Sequence, residues 1–449
     1  MDKAWLDAFT VEKAYLRLTV AIDVREEKEI EVLLPESGQL LGILDIRYAY
    51  ALQIFELSIE PEAIPEALSQ GIRLRLRKGD QPLWVLAAAD SASSGDTLLP
   101  HLLLVSKMIE RERGFFTRLA STASIQPFGW MEGCVLDGLY DLNAAHPESL
   151  RWRQVLQEHL DHYLDDEGGL TYENPRSEPV DSRVYGIEGT LPFAIIAKLW
   201  PEHPVLELAL QFWHARAREG GGLIADRSVT AEGAYTVAYP LAVLARKRRS
   251  RELAELAVGN LQARRQALVT ERGLCWIEDQ GQPERYLNWA RAYAWYMLGL
   301  VRSIVELRQM DPKDRPKLDG IELAFTEIAV AAAASQGSDG LWPCFLGEPV
   351  TGVDTSGSAG IAAAIAIGVH HGLLPPAMRD ATSWAYLRLV EYLSPDGFLT
   401  GVAQSNRNGE ALQRGGYRVI SQMAMGLMGQ LAAVLGHGEE KGRQTESLV

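Results

Sequence analysis

Cysteine is nearly absent: three residues in 449, Cys134, Cys275 and Cys344, too far apart for a CxxC pair. So sparse a set supplies neither a disulfide framework nor a thiolate metal site, and it fits reduced thiols in a cytoplasmic protein. Histidine is thinly scattered too, nine residues with no HExxH and no His/Cys cluster, so no metal and no cofactor is expected. No apolar run reaches the ~20 residues that cross a bilayer; Ile361–Val369 is apolar but too short. The start, MDKAWLDAFTVEK, lacks a basic stretch followed by an apolar core, so no signal peptide is read there. Positive charge is in deficit. With 44 Lys and Arg against 59 Asp and Glu the formal charge is −15, which argues against nucleic acid as a partner. The absences leave a cytoplasmic protein without membrane or nucleic-acid partners, with assembly into a homo-oligomer left open.

What is present is a chain that is 47% apolar and long enough for more than one packed unit. Up to about residue 92 it reads as strands. Tyr15–Val24, Ile30–Leu34 and Gly71–Arg77 alternate or run in β-formers between short turns. In GIRLRLR, Ile72, Leu74 and Leu76 are expected to face a core while Arg73, Arg75 and Arg77 face water. A small antiparallel β-sandwich over 1–92, acting as an accessory domain, is the expectation. Ala89–Thr97, rich in Ser, Gly and Asp, reads as a linker.

From residue 97 to 436 the chain becomes helical and repeats. One helix type is striped and charged, over 97–117, 147–165, 203–219, 250–269, 317–336 and 376–393. At least four of these are followed by a Gly turn and a short extended piece, as in EGGLTYE, GGGLIADR, ERGLCWIED and SDGLWPCF. A second type, apolar on nearly all sides, then begins near 132, 188, 232, 289, 354 and 417, at intervals of 44 to 65 residues. Helices apolar all round must be buried, and striped ones cover them. Six inside six describe an (α/α)6 toroid, with the tail 437–449 expected to be disordered.

In such a toroid the inner-helix starts can share one rim. They carry Trp130 and Glu132, then Glu188, then Glu232, then Trp289, Arg291 and Trp295, then Asp354, Thr355, Ser356 and Ser358, and finally Tyr417 and Arg418. Indole faces stack on sugar rings, and a guanidinium grips a carboxylate with paired hydrogen bonds. A carboxyl near apolar walls and like charges keeps its proton and can act as a general acid. The set therefore suits a small acidic oligosaccharide. Helix capping is the competing reading for Glu132, Glu188 and Glu232, and close helix packing that for Ser356 and Ser358.

Three of these segments carry a resemblance. The W-x-R-x-x-x-W of Trp289, Arg291 and Trp295 is similar to the WARGxxW segment of the unsaturated glucuronyl and rhamnogalacturonyl hydrolases of glycoside hydrolase families 88 and 105. DTSGSAGIAAAIAIGV at 354–369 resembles their ETSGSAMFAYALAKGV, and GFLTGVAQ at 397–404 followed by GGYR resembles their late glycine-rich loop. The resemblance implies a toroid that removes a Δ4,5-unsaturated uronic acid from lyase products by protonating C4 of a vinyl ether. It places the acid/base at Glu232, assisted by Glu188, where the family has Asp in both places. Asp226, in the strand before, is the rival acid. The histidine that the family carries before its WAR segment has no counterpart in GLCWIEDQGQPERYLN. Alternatives are a hydrolase of saturated glucuronides or galacturonides on the same fold, where two carboxylates act as acid and base or nucleophile, and a non-catalytic uronide-binding protein. A sugar epimerase fits less well, since no inner-helix start holds histidine.

Overall fold

The computed structural model describes residues 12–87, 97–105, 110–165, 167–219, 221–278 and 286–438. The expected linker and most of the expected tail lie outside these residues. The front of the chain forms two three-stranded antiparallel sheets: β1 (Lys13–Thr19), β2 (Glu27–Leu33), β3 (Leu40–Arg47), β4 (Ile54–Ile59), β5 (Arg73–Lys78) and β6 (His101–Val105). Their orders are β4-β1-β6 and β3-β2-β5. Leu16 and Leu18 of one sheet and Ile30, Val32, Leu44 and Ile46 of the other fill a shared core. β1 is buried on both faces, because Arg17, pointing away from that core, meets the helical part.

Two expectations fail here. The outer helix expected over 97–117 is a strand followed by a short helix, with β6 pairing along β1 and Arg111–Leu119 helical. The apolar run HLLLV suits either element, and the open edge of β1 decides for the strand. The β part therefore extends past its expected end near 92. Leu74 and Leu76, expected in the core, are 39% and 42% exposed. They do lie beside Val32 and Ile30, but on the edge strand, where nothing among the described residues covers them. Arg75 and Arg77 of that strand reach Glu31 and Glu29, and a charged edge resists pairing with another chain.

Beyond residue 110, six inner and six outer helices form the toroid. The inner ones are Trp130–Ala145, Pro192–Leu199, Tyr239–Arg248, Ala290–Arg308, Thr355–His370 and Gln422–Leu435. The outer ones are Arg111–Leu119, Leu150–Asp161, Leu206–Glu219, Arg251–Leu268, Asp319–Ala334 and Arg379–Glu391. Short bridges such as Leu164↔Leu170 and Leu393↔Leu399 close the Gly turns after the outer helices. First and last inner helices seal the ring at near backbone contact. A Cβ on Gly426 would stand 2.4 Å from the Cys134 carbonyl oxygen, and one on Gly138 would stand 2.5 Å from that of Gly426.

The third inner helix starts irregularly. Ala234–Ala238 form a π-helical turn before the regular helix. Pro240 has no N–H to give the Thr236 carbonyl, and the Thr190 hydroxyl donates to that carbonyl instead. This bond ties the second and third inner-helix starts together. Glu188 and Glu232 lie on these two neighbouring starts, close enough for the charge of Glu232 to act on Glu188.

Candidate active site

Glu188 sits in a single 3₁₀ turn, Ile187–Thr190, that leads into its helix, and this turn packs on the π-helical turn after Glu232. Glu232 is delivered by a two-residue strand, Val229–Thr230, paired antiparallel with Ile277–Glu278. Ala231 N–H donates to the Trp276 carbonyl at 2.8 Å, which brings the Trp276 indole to Glu232. Behind Glu232 the space at Gly233 is filled by Arg264. A Cβ there would meet the guanidinium at 2.0 Å. Small as Gly233 is, it leaves no room for a ligand on that side. Arg264 donates to the Thr230 and Ile224 carbonyls at 3.1 and 2.6 Å and so holds the strand that carries Glu232.

Burial pushes the Glu188 carboxyl up to about 8, with Glu232 and Asp226 as like charges adding to it. Burial likewise pushes Glu232 up to about 7, against the opposing pull of Trp276, Thr230 and the Arg291 and Arg264 cations. The two carboxyls therefore share a proton near neutrality and titrate as a pair. Trp276 Nε1 and Thr230 Oγ1 face Glu232 without completing a hydrogen bond, and Tyr185 Oη, near Glu188, is also buried and unpaired. Buried polar atoms normally have partners, so this cluster has capacity for a polar ligand. Raised carboxyl values hold the acid form below about pH 7 and release it as pH rises through 7–8. A reaction that uses the proton is expected to show an alkaline limb of kcat/KM in that interval, read from a pH–rate profile.

Across from the pair stands Arg291, in the first turn of the fourth inner helix and buried. Its Nε donates to Ser356 Oγ at 3.2 Å and its Nη2 to the Ala403 carbonyl, while Nη1 carries no hydrogen bond among the described residues. Asp354 caps the fifth inner helix. Its Oδ1 accepts from Ser356 N, Ser356 Oγ and Ala403 N at 3.1, 2.7 and 3.0 Å. Asp354 Oδ2 is buried and unpaired, 3.9 Å from Arg291 Nη2. Trp289 packs with Tyr286 and Trp276, with the Arg291 guanidinium 5.3 Å from its ring centre. Its indole N–H is unpaired as well.

The other candidates are engaged elsewhere. Trp295 packs between Trp130 and Tyr235, inside the ring; Trp130 is partly exposed and meets Tyr50 edge-on. Glu132 is fully buried and accepts from His159 Nδ1 at 2.7 Å and Gln126 N at 2.8 Å. Burial alone would lower His159, but the Glu132 carboxylate raises it. Thr355 donates to the Thr400 carbonyl at 2.7 Å and Ser358 to that of Trp342 at 3.3 Å. Tyr417 Oη bridges to Asp45 O and Arg47 N of the β part, and Arg418 holds the Val353 and Thr351 carbonyls. Asp226 lies at the margin, 3.7 Å from Arg216, accepting the Ile187 N–H at 3.2 Å. Tyr50, Thr230, Arg264, Trp276 and Arg407 were not anticipated from sequence. All sit in loops or outer elements and share no periodic signal, although the aromatic–acidic run LCWIED offered one for Trp276.

Residues 269–440 match the model of Glycosyl Hydrolase Family 88. Among solved structures, a family 105 glycoside hydrolase from C. acetobutylicum ATCC 824 is similar at TM-score 0.58 and 16% identity, covering 72% of this chain and 98% of its own. A possible family 105 member from Klebsiella pneumoniae gives 0.59 at 15%, over 78% of this chain and 99% of its own. The unsaturated glucuronyl hydrolase of Bacillus sp. GL1 gives 0.51 at 16%, over 74% and 98%. No curated protein matches by sequence.

Proposed function

We propose that this chain is a glycoside hydrolase of the superfamily formed by families 88 and 105, and that it releases a terminal Δ4,5-unsaturated uronic acid from short, lyase-generated oligosaccharides; the family 88 match over residues 269–440 and the toroid it shares with a family 105 structure support this. One observation carries the reading: the half-buried Glu188–Glu232 pair, holding a proton near neutral pH, opposite the buried Arg291. In this reading the protonated Glu232 gives its proton to C4 of the vinyl ether, and positive charge develops at C5 and the ring oxygen. Water adds at C5 as the carboxylate, now ionised, takes a proton from it. The resulting hemiketal opens, and the hemiacetal left at C1 expels the second sugar. Glu188, ionised or protonated in turn, keeps the proton within the pair. Arg291 Nη1 meets the uronate carboxylate, and the Trp276, Thr230 and Tyr185 donors meet ring hydroxyls.

The test is a screen of lyase-digested pectin, hyaluronan and xanthan fragments, following loss of the vinyl-ether absorbance. Absorbance loss with release of the second sugar supports the reading. Cleavage of saturated uronides with the unsaturated band untouched would sink it. Arg291→Lys keeps the charge but removes the planar fork, so KM for the acidic substrate is expected to rise about tenfold or more, with kcat less affected. An unchanged KM would remove Arg291 from carboxylate binding.

A further inference from the structure

The turn between β3 and β4 reaches from the β part into the toroid mouth. Its backbone is strained: Tyr48 and Leu52 adopt φ of 51° and 65°, the left-handed region that bulky residues avoid. The surroundings over-determine it. Gln422 Nε2 donates to Leu52 O at 2.8 Å, Gln404 Nε2 to Arg47 O at 2.8 Å, and Gln53 Nε2 to Ile420 O at 3.3 Å. Between the two strained residues stands Tyr50. The Arg407 guanidinium lies 4.0 Å from the centre of its ring, and the edge of Trp130 meets it at 6.2 Å. Arg407 is itself fixed by the buried Asp23 of the β part and by the Pro175 carbonyl of the loop before Glu188. Tyr50 lines one narrow cleft together with Trp130, Arg291 and Ala403. The charges of Glu188 and Arg291 both reach its hydroxyl.

A ring held by strain on a separate domain, beside the cation assigned to the uronate, needs a reason other than packing. Resting on the function proposed above, we infer that Tyr50 is a specificity residue: the β part supplies through it the aromatic wall on which the first sugar of the leaving group stacks, and which confines the site to short substrates. An aromatic face against a sugar ring suits this use, and two rotatable bonds make it inexpensive to order.

The experiment compares wild type, Tyr50→Ala and Tyr50→Phe by tryptophan-fluorescence titration and by kinetics. The ligands are a Δ4,5-unsaturated methyl uronide, which has no second sugar, and the matching disaccharide and tetrasaccharide. Tyr50→Ala is expected to lose about tenfold in disaccharide affinity relative to the methyl uronide, and to narrow the disaccharide preference over the tetrasaccharide. Tyr50→Phe, which keeps the ring, should restore both ratios. Ratios in Tyr50→Ala equal to those of wild type overturn the inference while leaving the uronide site standing. A wild type that binds none of the three ligands overturns both. A mere folding defect would move all three ligands together and would not be rescued selectively, which also counts against the inference.

Discussion

Glu232→Gln is expected to fold and bind its ligand as wild type does while turnover falls about 10²–10⁴-fold, the usual loss on removing a general acid. The amide is isosteric and leaves the strand pairing through Val229–Thr230 untouched. It cannot give up a proton, and Glu188 beside it loses the like charge that helps raise it. The alkaline limb should accordingly shift to lower pH in whatever activity remains. Asp226→Asn provides the contrast. Asp226 is partly exposed and paired with Arg216, so its loss is expected to cost less than tenfold. Single-turnover rates of the two variants decide the matter: a near-normal Glu232→Gln beside an inactive Asp226→Asn would transfer the acid role to Asp226.

Arg17→Ala is expected to destabilise the protein by ~3–5 kcal/mol, the range for removing one partner of a buried ion pair. Arg17 is almost completely buried, and its guanidinium donates to Glu56 at 3.0 Å and to both Asp396 oxygens at 3.1 and 2.8 Å. Its removal leaves Asp396 in the junction with only Arg118 at 3.6 Å and Ser394 Oγ at 2.8 Å to answer it. Arg75→Ala, which breaks an exposed pair with Glu31, is the comparison and should cost under ~1 kcal/mol. Denaturant unfolding of both variants measures the difference. An Arg17→Ala no weaker than Arg75→Ala would mean the junction does not depend on this pair.

Much of the toroid was legible because its rules are local. Gly turns after striped helices, apolar inner helices and an Asp354 cap each leave a mark within a few residues. What depended on a distant neighbour was not legible. The apolar stretch after residue 97 reads as a helix until the open edge of β1 is known. Leu74 and Leu76 alternate as core residues do, but their strand lies at an edge. At the site, Glu188, Glu232, Arg291, Ser356 and Asp354 were readable as inner-helix starts, and the fold does gather them. Tyr417 and Arg418 satisfied the same rule, yet their polar groups are taken by Asp45, Arg47 and the 351–353 carbonyls. Pro240, inside a helix, was a local sign that the third start would be irregular. Arg264, Trp276 and Tyr50 reach the site from other elements; beyond the aromatic–acidic run around Trp276, nothing in their own sequence neighbourhoods announces the journey.

The junction also sets an order on synthesis. Arg17 meets Asp396 across 379 positions, Asp45 meets Tyr417 across 372, and Gln53 meets Gln404 across 351. At the ~5–20 residues per second of a ribosome, β1 waits roughly 20–75 s for its partner to emerge. During that wait the face later sealed against the toroid stands in water. An apolar face there would invite adhesion between nascent chains; a face bearing Arg17 and Glu56 repels it. The ion pair at the junction is thus a choice that suits the half-made protein as well as the finished one.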